Sequence, residues 1–62
     1  MDTLLTTVDI STRDYLDSRR ASLGRLEGAS NPTHRMALQI ATLRENIAAT
    51  ERHRAAFGLD PV

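Results

Sequence analysis

Hydrophobic positions along the chain fall into two stretches with helical spacing, separated by a short polar break. The stronger lies in the C-terminal half. Met36, Ile40, Leu43 and Ile47 recur at spacings of four, three and four, the a/d seam of a coiled-coil or bundle helix. Beside it runs a row of small residues, Ala37, Ala41, Ala48 and Ala55, across which another helix backbone can approach closely. Gln39, Asn46 and His53 form a solvated border on the other flank. In the N-terminal half, Leu16, Leu23 and Leu26 share a face with Tyr15.

Capping signals set the expected ends. Ser11 with Asp14 three residues on reads as a capping box, and Ile10 with Tyr15 as a hydrophobic staple. Helix one is therefore expected over 11–27, with Gly28 closing it in the left-handed conformation. Asn31 followed by Pro32 reads as the cap and first position of helix two, expected over 32–57 and closed by Gly58. The four-residue connection Gly28-Ala29-Ser30-Asn31 implies antiparallel neighbours.

The pattern predicts an all-α fold: an antiparallel two-helix hairpin over 11–58 with a long second helix, an N-terminal arm over 1–10 and a tail over 59–62. Counting back from the turn puts Leu23 level with Met36, Leu16 with Leu43 and Arg19 with Ile40. The arm is ambiguous. Thr6, Val8 and Ile10 alternate as a strand would, and Leu4 to Val8 equally suits a helical turn.

Length makes association the expected outcome. A chain of 62 residues seldom gains more than about 3–5 kcal/mol from its own core. Cysteine is absent, so no disulfide or thiolate zinc site adds to it. One short helix cannot cover both the large seam and the flanking alanines. A helical bundle completed by association, with itself as a homodimer or with another protein, resolves this. The expected interaction residues are Ala37, Ala41, Ala48 and Ala55, with Arg19, Glu51 and Arg54. The last three lie on or near the apolar arcs. Their stems pack while their heads reach water, or they meet opposite charges on a second chain.

Charge narrows the function classes. Eight basic residues, all arginine, balance eight acidic ones. A nucleic-acid module draws most of its affinity from excess positive charge, so nucleic acid is disfavoured. The alternative to an interaction module is a nucleic-acid-associated regulator using Arg13, Arg19, Arg20 and Arg25 after dimerisation. These are interleaved with Asp14, Asp17 and Glu27. No apolar run is long enough for a membrane span, and the N-terminus lacks the pattern of a secretory signal, so a cytoplasmic location is expected.

Catalytic chemistry is not indicated. His53 has Thr50, not Glu, three residues before it, and His34 has Asn31, so the Glu-x-x-His pairs of di-iron bundles are missing. Glycines at 24, 28 and 58 make no phosphate loop. Asp14 and Asp17 fit an N-terminal charge bias that complements the helix dipole. No enzyme activity, cofactor, metal or small-molecule ligand is expected. The expected role is a non-enzymatic interaction or assembly module: a small adaptor, a regulator or a minor structural subunit of a larger complex. Far-UV circular dichroism should show a helical spectrum, and a dominant strand signal would overturn the fold reading.

Overall fold

The computed structural model describes residues 3–62. Two helices, α1 (Thr3–Glu27) and α2 (His34–Ala56), pack against each other as a hairpin. The molecule measures 49 × 15 × 15 Å, a rod two helices wide and one layer thick.

α1 starts eight residues before the expected capping box. The helices are nearly equal, with 25 and 23 residues, so helix two is not the longer of the pair as expected. Residues 3–10 form the first two turns of α1 rather than an arm; the first two residues of that expected arm lie outside the described residues. No Gly or Pro interrupts this segment, and threonine costs a helix only about 0.7 kcal/mol or less against alanine. Two threonines also bond back to their own helix. The Thr7 hydroxyl donates to the Thr3 carbonyl at 2.9 Å, and that of Thr12 to the Val8 carbonyl at 2.6 Å. Ser11 and Asp14 are ordinary mid-helix residues.

The connection spans residues 28–33, two longer than expected. Gly28 does not take the left-handed conformation; its N–H continues the helical pattern by donating to the Gly24 carbonyl at 3.1 Å. α2 is capped by Thr33 rather than Asn31. Thr33 is extended (φ −85°, ψ 167°), and its hydroxyl accepts from the Met36 N–H at 3.1 Å. Pro32 thus precedes the cap, where its fixed φ suits extended chain.

The far end of α2 closes as the sequence indicates. Gly58 has φ +75°, its N–H donates to the Ala55 carbonyl at 3.0 Å, and the Leu59 N–H to the Arg54 carbonyl at 3.0 Å. These two bonds make a Schellman motif. It turns residues 59–62 back along the hairpin, where Leu59 and Val62 are half-buried.

The apolar core is small. Leu16, Leu43 and Ile47 are buried, while Met36, Ile40, Leu23 and Leu26 are only half-buried. Leu4 and Ile10 are 73% and 62% exposed. Leu43→Ala should cost about 2–5 kcal/mol, enough to unfold so small a domain. A urea midpoint unchanged from wild type would show that this seam is not the core.

Candidate functional site

The largest enclosed side chain is not apolar. Arg54 is 2% exposed and occupies the seam position seven residues after Ile47. Opposite it, Asp9 and Thr12 continue the α1 seam back from Leu16 at spacings of four and three. The Arg54 guanidinium is gripped from two parts of the chain, α1 and the tail. Nη2 lies 2.7 Å from Asp9 Oδ1 and donates to the Asp60 carbonyl at 2.8 Å. Nη1 donates to the Asp9 carbonyl at 3.0 Å and to Thr12 Oγ1 at 2.6 Å. Only Nε is buried without a hydrogen bond. Desolvation of a guanidinium is tolerated when a carboxylate and several acceptors replace water, and here four of the five donors have partners.

Asp9 also accepts from Arg13 Nε at 2.9 Å. The hydrogen bond from Arg54, then that from Arg13, holds the Asp9 carboxyl below its ordinary value of 3.8.

Charges expected to face solvent or a second chain are engaged within this one. Glu51 pairs with Arg20 at 2.8 Å, and Arg44 pairs with Glu27. Arg19 lies over the Tyr15 ring, 4.8 Å from its centroid, in a cation–π contact. The expected register, with Leu16 level with Leu43 and Arg19 level with Ile40, is displaced. Leu16 shares a cavity of about 170 Å³ with Glu51, Arg54, Ala55, Leu59, Pro61 and Val62. Two physical effects shift the pairing in the same direction: the longer connection, and the lean of helical side chains toward their own N-terminus, which offsets contacts between antiparallel helices.

The alanine row lies on the outer flank of α2. Ala37, Ala41 and Ala55 are exposed and Ala48 is half-buried. Helical spacing puts this row on the same broad side as the Arg20–Glu51 and Arg44–Glu27 pairs, and its last member adjoins the folded-back tail. The opposite broad side is an open groove of about 490 Å³, lined by Ser11, Thr12 and Tyr15 of α1 and Ala49, Thr50 and His53 of α2. His53 meets the Phe57 ring edge-on at 4.9 Å.

Among the described residues no three His, Asp or Glu side chains are grouped to hold a metal ion. No described helix is long and apolar enough to cross a membrane. Comparison with protein-family models, curated proteins and solved structures finds no match.

Sequence reasoning missed Asp9, Thr12 and Asp60 as partners of Arg54. The signal for the first two was present: the α1 heptad, extended upstream of Leu16, puts an acid and a hydroxyl on the seam. The Asp60 carbonyl is a backbone atom placed by the Gly58 turn, and no side-chain pattern announces it.

Arg54→Ala should cost about 3–5 kcal/mol, as expected when one partner of a buried ion pair is removed. Arg54→Met, which keeps the apolar stem, should recover part of that; equal urea midpoints for the two would show that only the charge matters. Acid should act through Asp9. Its pKa is depressed in the folded chain, so its stabilisation is complete above the unfolded value of about 4 and is lost as pH falls through the lower folded value. Asp9→Asn should flatten the fall in melting temperature below about pH 4. An unaltered acid limb in that variant would assign the loss to other carboxylates.

Proposed function

We propose that this chain is a non-enzymatic protein–protein interaction or assembly module: half of a helical bundle, completed by a second copy or by another protein. The observation that carries this reading is the amount of surface left open. The chain exposes 4613 Å², against about 4,000 Å² for a compact monomer of its mass. Leu4, Leu5, Ile10, Leu38 and Phe57 are all exposed, and a single layer of two helices has no interior in which to bury them. The charged side chains support the same reading. Arg13 and Arg20 are engaged by Asp9 and Glu51, so the basic cluster of α1 is partly neutralised within the chain.

Association stabilises the folded form by mass action. The melting temperature of the purified chain should therefore rise with its concentration, in parallel with a rising sedimentation-average mass. If the complement is a different protein, native co-purification at low salt should retain it at constant stoichiometry. A chain that melts independently of concentration, sediments as a monomer throughout and retains no partner would overturn the reading.

A further inference from the structure

We propose that residues 59–62 form a strap, hinged at Gly58, that closes over Leu16 and Arg54 and whose release unwinds the first turns of α1. The inference concerns the single chain and does not depend on the association reading.

Cover is the first observation. A single layer of two helices leaves its seam open at the edges, and on α1 Leu23 and Leu26 are only half-buried. Leu16 is 0% exposed. The tail distinguishes it: Leu59, Pro61 and Val62 wall the cavity that Leu16 shares with Ala55 and Arg54. Leu59 and Val62 are themselves half-buried, so strap and seam shield each other.

The hold on the strap is light. Apart from the turn at Gly58, one hydrogen bond fastens it among the described residues, from Arg54 Nη2 to the Asp60 carbonyl at 2.8 Å. Beneath it lies a cavity of about 170 Å³ rather than close packing. Segments with few buried apolar contacts open locally at a lower free energy than the whole fold. The hinge is defined by Gly58, whose φ of +75° glycine adopts readily and other residues resist.

Arg54 connects the strap to α1. Closed, its guanidinium is 2% exposed and reaches from the Asp60 carbonyl to Asp9 and Thr12. Opening removes the Asp60 acceptor and admits water. An ion pair in water stabilises little, whereas the same pair shielded from water attracts more strongly. Little else ties down the start of α1. Leu4, Leu5 and Ile10 are exposed and Val8 is half-buried, and the threonines at 3, 6 and 7 are indifferent helix formers. The turns before Leu16 are therefore helical on condition that the strap is closed.

Nuclear magnetic resonance on the full chain tests this. Valine rarely adopts a positive φ, so Gly58→Val should shift the strap at least about tenfold toward open. Gly58→Asn, whose side chain tolerates that conformation, should stay closed. In Gly58→Val the Leu16 methyl and Arg54 Nε–H signals should move toward solvent-exposed values, and helical Cα shifts over residues 4–12 should fall while those over 18–26 and 36–47 hold. In the wild type, the Leu59 amide and the amides of 7–13 should lose exchange protection together, ahead of the central turns, as urea is raised. A covered Leu16 in Gly58→Val would show that no hinge lies at Gly58. An exposed Leu16 with 4–12 still helical would show that the strap does not hold α1. Either result overturns the proposal, as does one common exchange profile for tail, α1 start and central turns.

Discussion

The hairpin depends on one buried guanidinium. Arg54, in the last turns of α2, sits near the open end, where the start of α1 and the tail converge, and it bonds to both. Beyond Ile47 the seam itself turns polar: the next positions are Thr50 and Glu51, α1 offers Thr12 and Asp9 opposite, and the other links there are the part-exposed Arg20–Glu51 pair and Leu16 beside the tail. The action of Arg54 is cooperative. The Gly58 turn delivers the Asp60 carbonyl only if α2 is helical to Ala56, and Asp9 and Thr12 share a face only if α1 is helical back through Asp9. A single side chain thereby makes the ends of both helices conditional on each other.

The same arrangement limits what the chain achieves alone. A polar pin does not substitute for apolar burial, because its hydrogen bonds largely replace ones already made to water. Among the described residues only three apolar side chains are fully buried. The molecule is therefore well specified in geometry but thinly supported in free energy, which is the physical case for a partner. The ion pairs Arg20–Glu51 and Arg44–Glu27 are partly exposed and add little to stability. Their larger effect is to mark one broad side as solvated.

Much of the fold was legible in the sequence. The a/d seam from Met36 to Ile47, the glycine stop at Gly58 and the short polar break between helices all correspond to structure. Local capping signals misled where tertiary contacts outweighed them. Ser11–Asp14 resembles a helix start, yet the Arg54–Asp9 contact rewards a helix that continues past it, and Thr33 takes the cap in place of Asn31, its hydroxyl accepting from the Met36 N–H. The candidate site was less legible. Glu51 and Arg54 were visible as charges on or near the seam, but their partners depend on register, and a register counted from the turn was out by roughly two helical turns at Leu16. The alanine row was visible as a pattern, but periodicity alone does not say which broad side carries the ion pairs.

An arginine at position 54 also has a consequence that a leucine would not. Apolar a/d seams of similar residues tolerate sliding by whole heptads, because one large aliphatic side chain replaces another at little cost. Moving α2 by seven residues in this hairpin would strand Arg54 away from Asp9, Thr12 and Asp60. It would then be either buried without acceptors or expelled from the seam. Polar groups inside helical interfaces fix register in just this way, at some cost in stability. The feature that weakens the isolated chain thus excludes its slipped alternatives. The same register sets the relative placement of Tyr15 and Thr50 across the two helices.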